Sequence, residues 1–175
     1  MAKKKFQVNI MSPSSIEQII KELNAYKESI SVKTRLFCER LTELGVEVAR
    51  TYVYSVDAVF TTELFNSIHG EVRQDDGQNF IFAVVASSSH AVFVEFGTGI
   101  VGKESPYPYP FPDGVDWQYA SGQTIRQLSD GRYGWFYYRD NQWYFTEGMP
   151  SRPFMYPAAM EMRQNIKKIA KEVFG

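Results

Sequence analysis

Apolar residues in the first third of the chain recur at helical intervals in two separate stretches. Ser14 and Glu17 have the spacing of a capping box, and four apolar side chains then share one helical face, at Ile16, Ile19, Ile20 and Leu23. From about Val32 to Ser55 a longer stripe repeats near every 3.6 residues, with Leu36, Phe37, Leu41, Leu44, Val48, Ala49 and Tyr52. The pattern predicts a short amphipathic helix and then a long helix that packs on a sheet.

The middle of the chain alternates short apolar runs with turn residues. The run at Thr61–Ile68, TTELFNSI, predicts a turn or short helix. Its inward side chains are predicted to be Leu64, Phe65 and Ile68. A strand at Glu71–Arg73, a turn at Asp75–Gly77 and a buried strand at Asn79–Ala86 follow. After the polar link SSSH, the run HAVFVEF is predicted to return as the antiparallel neighbour of that strand.

The stretch from His90 to Gly99, HAVFVEFGTG, ends in two glycines that flank Thr98. A strand here is apolar on both faces apart from one carboxylate, so we expect both faces to be covered. The two glycines suit positive φ, which ends the strand in a tight turn and fixes the positions of Glu95 and Thr98. A buried carboxylate needs a partner, and Arg152 is the predicted one. The sequence therefore predicts a structural lock of Glu95, Thr98 and Arg152.

From Ile100 to about Arg132 the chain changes character. Its segment SPYPYPFPDG holds four prolines interleaved with Tyr107, Tyr109 and Phe111. Prolines at alternate positions cannot donate to a sheet ladder and favour an extended backbone. Long loops in compact domains usually serve a function or move. Two interpretations remain open: the aromatic residues form a contact surface for another protein, or they fold back on the domain.

The last part of the chain predicts an aromatic hairpin and a closing helix. Strands at Gly134–Tyr138 and Gln142–Thr146 are joined by the short polar turn RDN, and a helix is predicted at Ala158–Val173. The helix is predicted to turn Met162, Ile166, Ile169 and Val173 inward, and Arg163, Lys167, Lys168 and Lys171 outward. The whole pattern predicts one α+β domain over residues 1–175, with residues 1–13 as an extended tip and residues 100–132 as an extended arm.

Composition narrows the class of protein. The chain has 175 residues, 44% of them hydrophobic and 15% aromatic, and 19 basic against 20 acidic residues give a net charge of -1. This balance gives no indication of nucleic-acid or anionic-membrane binding. Cys38 is the single cysteine, which excludes an intrachain disulfide and a cysteine-based zinc site. No apolar run approaches the ~18 residues that span a bilayer, and no signal peptide follows the basic MAKKK start, so we expect a cytoplasmic protein or part of a larger particle.

Candidate catalytic chemistry is sparse, and we expect no cofactor and no metal. The histidines, His69 and His90, lack metal-pair spacing, and the SSSH run has no nucleophile-elbow pattern around it. The glycine cluster GTGIVG is not followed by a P-loop lysine. Two alternatives stay open: a small hydrolase that uses His90 and Glu95, and a nucleic-acid clamp formed by the late basic residues Lys167, Lys168 and Lys171.

Three blocks, in order, resemble the neck and tail-completion proteins of long-tailed phages. They are TTELFNSI, HAVFVEFGTG and GMPSRPFMYPAAM, and with the preceding helix the resemblance covers about Val32 to Val173. Glu63 stands where the family has glycine, and His90 stands where it has tyrosine. The resemblance implies a helix packed on a curved antiparallel sheet, without catalysis or cofactor. It also implies a ring of subunits, typically a hexamer, between the portal-adaptor complex and the tail tube.

We therefore expect a virion protein of the neck or tail, assembled in the bacterial cytoplasm. Its partners would be sister copies, connector proteins, the tail terminator and the tail tube, with DNA passing nearby and no membrane contact. A ring needs heterologous contacts, which aromatic surface can supply. The predicted contact with an adjacent subunit or tail partner is the arm from Ile100 to Arg132 together with the hairpin from Trp135 to Phe145. Its predicted interaction residues are Tyr107, Tyr109, Phe111, Trp117, Trp135, Tyr137 and Trp143. The main alternative is a tail-terminator ring that caps the tube.

Overall fold

The computed structural model describes residues 9, 11–55, 61–119 and 125–175. Most of the predicted tip, residues 1–13, lies outside these ranges. Residues 120–124 of the predicted arm lie wholly outside them. The helices are α1 (Pro13–Ser55), α2 (Thr61–Ser67), α3 (Ala91–Phe96), α4 (Gly99–Glu104) and α5 (Met155–Phe174). The strands are β1 (Ile68–Asp75), β2 (Phe80–Ala86), β3 (Arg126–Gln127), β4 (Tyr133–Arg139), β5 (Gln142–Thr146) and β6 (Gly148–Met149).

The fold is α+β, as predicted, with a long helix near the N terminus and a second helix at the end of the chain. The described strands form two separate antiparallel sheets, β1-β2 and β3-β4-β5, instead of one sheet. α1 packs on both strands of the first sheet and on α5. The second sheet is connected to this body through α4, which contacts β4 and β6.

α1 is one continuous helix of 43 residues, so the prediction of two helices was wrong. It spans about 64 Å at a rise of about 1.5 Å per residue. The segment between the two predicted helices, NAYKESIS, contains neither proline nor glycine. Nothing in that segment therefore breaks the helical hydrogen bonds.

The fully buried face of α1 is made of small residues, Thr42, Gly45, Ala49 and Val53. Gly45 lies where α5 and β2 both approach the helix. A Cβ at this position would overlap Met162 Sδ and lie 2.7 Å from Val84 Cγ2. The predicted stripe was partly wrong, since Leu36 and Tyr52 are 38% and 42% exposed. Small side chains on this face allow α5 and β2 to approach α1 closely, which the larger residues of the predicted stripe would prevent.

β1 and β2 form the predicted hairpin, with an irregular register between Val72 and Gln74. Asp76 closes its turn, because its Oδ1 accepts the backbone N–H groups of Gln78 (2.9 Å) and Asn79 (2.6 Å). These hydrogen bonds, with those from the side chains of Asn79 and Gln74, hold the pKa of Asp76 well below its usual range. Ser31 Oγ on α1 donates to Gly77 O at 2.8 Å, so the hairpin runs along α1 as far as Ser31.

The run HAVFVEF is helix α3, so the predicted strand and its pairing with β2 were wrong. Ala91, Val94 and Glu95 are buried, whereas Val92 and Phe93 are 41% and 43% exposed. Burial therefore follows a helical spacing, and an almost wholly apolar run does not distinguish that spacing from a strand. The predicted glycine turn after it is confirmed, with φ of +79° at Gly97 and +68° at Gly99.

The aromatic hairpin and the closing helix form as predicted, with small differences at their ends. Asp140 and Asn141 both have positive φ, 47° and 63°, which is the geometry of a two-residue type I′ turn between β4 and β5. α5 begins at Met155, before the predicted start. Ile169 and Val173 are buried, but Ile166 is 43% exposed and its predicted inward position was wrong.

One apolar core joins α1, α2, α3 and α5. Its buried members are Ala49, Val53, Leu64, Ile68, Ala91, Val94, Phe154 and Ala158. Leu64, Ile68 and Phe154 are almost completely buried, as predicted for the first two. The four helices and the first strand are therefore fixed relative to one another by the same cluster.

Replacing Gly45 with valine should lower the free energy of unfolding by about 1–3 kcal/mol, because the new side chain overlaps Met162 and Val84. Thermal or urea unfolding measures the change. Glu47→Val is the matched control, since it adds the same β-branched residue at an exposed position of the same helix. Equal effects of the two substitutions would contradict the close packing at Gly45.

Candidate functional site

A buried carboxylate joins α3 to the beginning of α5. Glu95 is 5% exposed, and its Oε2 accepts the backbone N–H groups of Phe154 at 2.7 Å and Met155 at 2.9 Å. Its Oε1 accepts the N–H of Tyr156 at 3.2 Å. The first N–H groups of a helix lack partners within the helix and carry a partial positive charge. Glu95 therefore caps α5, whose own N-cap residue, Phe154, makes no side-chain cap hydrogen bond.

Backbone contacts on either side hold the same junction. Ser151 Oγ donates to Glu95 O at 2.7 Å, and Arg152 N donates to Val94 O at 2.8 Å. The predicted ion pair between Glu95 and the Arg152 side chain is not formed among the described residues. The positive end of a helix takes the place of the guanidinium group, and Arg152 contributes only its backbone N–H to this contact.

Thr98, the third member of the predicted lock, takes part through its backbone. Thr98 and Gly99 form a short antiparallel bridge with Met149 and Gly148. The two strands approach so closely that a Cβ at Gly148 would overlap Thr98 O. Thr98 is also the N-cap residue of α4, without a side-chain cap hydrogen bond. The glycines of this segment therefore allow two backbones to meet, which ties the α3–α4 turn to the lead-in of α5.

The proline-rich arm folds back on this junction with some of its aromatic residues. Tyr107 is 7% exposed and its hydroxyl donates to Glu95 Oε1 at 3.3 Å. The ring of Phe96 contacts those of Tyr107, Phe111 and Trp117 at centroid distances of 4.9, 5.4 and 5.2 Å. Trp117 Nε1 donates to Gly97 O at 3.0 Å. The arm also begins as helix α4 and ends with strand β3, so it is not wholly extended.

Part of the arm remains at the surface. Tyr109 is 36% exposed and stacks on Tyr156 in the first turn of α5, with centroids 4.0 Å apart. Phe111 is 38% exposed. Burial, followed by the charge of Glu95, raises the pKa of Tyr107 above its ordinary value. Of the predicted interaction residues on the arm, Tyr107 and Trp117 therefore serve mainly the interior, while Tyr109 and Phe111 form its outer surface.

The second sheet carries a different aromatic surface, which we call the aromatic hairpin (residues 133–146). Cross-strand ring pairs cover both of its faces: Phe136 with Phe145, Tyr137 with Tyr144, and Tyr138 with Trp143. Trp143 is 69% exposed, Tyr138 57% and Phe136 51%. Of the predicted residues, Trp143 and Tyr137 are exposed and Trp135 is half-buried.

Phe136, Tyr138 and Tyr144 lie within the hairpin that the sequence predicted as a contact, although they were not among its individually predicted interaction residues. Aromatic residues occupy consecutive positions in both strands, and neighbouring residues of a strand point to opposite faces. An unbroken aromatic run therefore indicates that both faces are aromatic. With no helix of the described chain packed over its outer end, this hairpin is the largest group of exposed rings that the described residues form.

Outside the Glu95 junction, four ionisable side chains line one groove beside α1: Glu43, Glu47, Arg50 and His69. His90 precedes α3 and is exposed, and His69 Nδ1 lies 2.8 Å from Ser67 O. This groove has a volume of about 680 Å³. In it, Arg50 Nη2 donates to Ile68 O at 2.7 Å, and the buried Nε has no hydrogen-bond partner among the residues that the structure describes. Within the described ranges, no three His, Cys, Asp or Glu side chains are arranged as metal ligands would be.

The described helices were also compared with the requirements of a membrane span. None of them combines the length and the apolar character needed to cross a bilayer. Comparison of the chain with models of protein families, with curated proteins and with solved structures found no match.

Replacing Glu95 with glutamine should lower the free energy of unfolding by about 3 kcal/mol, because the amide loses the charge that three helix N–H groups share. Arg152→Ala should cost less than about 1 kcal/mol, since only the backbone of Arg152 enters the junction. Chemical unfolding of both variants measures the difference. A larger loss for Arg152→Ala would contradict the capping role of Glu95.

The raised pKa of Tyr107 predicts a loss of stability in alkali. A group whose pKa is raised by folding stabilises the protein below its unfolded pKa, about 10 for tyrosine, and this contribution is lost as the pH rises through the folded pKa. We expect the stability difference between the wild type and Tyr107→Phe to shrink above about pH 10. Unfolding measured from pH 8 to 12 tests this. A difference independent of pH would show that Tyr107 titrates normally.

Proposed function

We propose that this protein is a structural component of a phage neck, where it forms a ring that joins the head-side connector to the tail. The observation that carries the proposal is the convergence of the three blocks that resemble neck proteins. Leu64 and Ile68 from the first block, Val94 from the second and Phe154 from the third belong to one buried cluster. Glu95 of the second block caps the helix that begins in the third block.

The convergence matters because the blocks are far apart in the chain. Glu95 and Phe154 are separated by 59 residues. Their side chains are used to hold elements together, and both carboxylate oxygens of Glu95 are occupied by donors. This arrangement favours a structural role for the blocks over the hydrolase alternative, in which Glu95 would need to reach a substrate.

Ring assembly also needs surface that is free for neighbours. The aromatic hairpin offers exposed rings on both faces, and aromatic residues are enriched in the centres of protein interfaces. Exposed aromatic clusters of this kind commonly mark binding surfaces. We propose that this hairpin contacts a sister subunit or a tail component, with the outer face of the arm at Tyr109 and Phe111 beside it.

The function is tested by deleting the gene from the phage or prophage that encodes it and examining the particles by electron microscopy. The proposal expects filled heads and complete tails that are not joined, and restored joining when the protein is supplied from a plasmid. Tails of irregular length would support the alternative of a tail terminator. Normally joined particles after deletion would refute both assignments.

Complementation with a hairpin variant tests the surface itself. Tyr138→Thr with Trp143→Thr removes one exposed ring pair while threonine preserves the preference for a strand. We expect a fall in infectious titre of at least about tenfold, because exposed aromatic residues often contribute much of the binding energy of an interface, with little change in melting temperature. Tyr54→Thr with Val72→Thr is the matched control, since these residues are 80% and 51% exposed outside the hairpin. Equal titres for both variants would exclude the hairpin as the contact surface.

A further inference from the structure

The N-terminal part of α1 carries an apolar stripe that remains at the surface. The β1–β2 hairpin reaches α1 at Ser31, and α5 ends beside Phe37, whose ring lies 6.1 Å from that of Phe174. Residues 13–30 extend about 27 Å further, at about 1.5 Å per residue. The side chains of the stripe there are 39–54% exposed: Ile16 (40%), Ile20 (54%), Leu23 (46%) and Ile30 (39%).

The spacing of these residues is that of a helix pair. Ile16, Leu23 and Ile30 are seven residues apart, and Ile19 occupies the intervening position of the heptad. Phe37 continues the same series, and α5 covers the stripe from Phe37 onward. N-terminal to Phe37, Ile16, Ile20, Leu23 and Ile30 remain 39–54% exposed. In proteins most of the stability of a helix comes from packing of its amphipathic face, so this segment gains from a covering helix.

We propose that a second copy of this chain covers the stripe, with the two α1 segments antiparallel. The charges of the segment favour a like partner over a strongly charged one, because acidic and basic residues are mixed: Glu17, Lys21, Glu22, Lys27 and Glu28. Two copies therefore bring together surfaces of nearly balanced charge. The contact is isologous, so it closes as a dimer of the free protein and is separate from the heterologous contacts that would build a ring.

The position of α5 decides the direction. A parallel partner would continue past residue 33 into the space beside Phe37 and Arg40 that α5 occupies. An antiparallel partner contacts only residues 13–30 of α1, and the rest of the second copy lies beyond the N terminus of α1. It also runs in line with α5 and places its N terminus near the C terminus of that helix, where the two partial charges are opposite.

Sedimentation of the full chain over a range of concentrations tests the pairing. We expect a monomer–dimer equilibrium, and a dissociation constant at least about tenfold higher for Ile20→Glu with Leu23→Glu. Val32→Glu is the matched control, because Val32 is 67% exposed on the same helix but off the stripe, and it should leave the equilibrium unchanged. A monomer at all concentrations would overturn the proposal, even if another virion protein were later found to cover the stripe. A dimer that the double substitution does not weaken would overturn it too.

Spin labels at Lys33→Cys, in a Cys38→Ser background, test the direction. An antiparallel pair that overlaps over residues 13–33 places the two labels about 30 Å apart along the helices. A parallel pair would hold them about 10 Å apart. The inference does not rest on the neck assignment, since the dimer is a property of the isolated protein. If the isolated protein is a dimer but heads and tails join normally without it, only the proposed function is refuted.

Discussion

The contact between the Glu95 carboxylate and the first turn of α5 is the interaction on which the other contacts at this end of the molecule depend. It joins two helices whose residues are 59 to 61 positions apart. The apolar cluster around Phe154 alone would allow α5 to slide or rotate, because apolar contacts have little direction. Three N–H groups aimed at one carboxylate fix both the position and the rotation of the helix. The Thr98–Met149 bridge and the folded arm then have a defined surface to pack on.

The proline-rich arm and the aromatic hairpin are both rich in aromatic residues, but the rings of the arm are more buried. The difference comes from the polar groups that the rings contact. Tyr107 and Trp117 are drawn inward because Glu95 and the carbonyl of Gly97 accept their donor groups at the edge of the core. A buried tyrosine or tryptophan normally needs such a partner. The rings of the aromatic hairpin find their partners across the strands instead, so they stay in pairs at the surface. One segment completes the domain, and the other is available for association.

α1 connects these parts because different lengths of one helix serve different contacts. Its C-terminal part contributes small residues to the core, and its middle part holds the β1–β2 hairpin and the end of α5. Its N-terminal part continues the same stripe beyond the domain. In the proposed pair, this rigid helix would connect the second copy to the body that contains the Glu95 junction. This division of one element between folding and association suits a protein that assembles with copies of itself.

The sequence by itself determined the features that depend on neighbouring residues: both hairpins with their turns at Asp76 and at Asp140–Asn141, the short helix before Ile68, and the closing helix. It also identified Glu95 as a buried carboxylate that needed a partner. It did not determine that HAVFVEF is a helix, that α1 is continuous, or that Glu95 caps α5 instead of meeting Arg152. An apolar run satisfies a strand and a helix equally, and the N–H groups of a helix end have no side-chain signature. Only the tertiary structure decides that Glu95 caps α5, because it alone brings residues about 60 positions apart within hydrogen-bond distance. The continuity of α1 was not predicted, although the segment NAYKESIS has no proline or glycine that would end a helix.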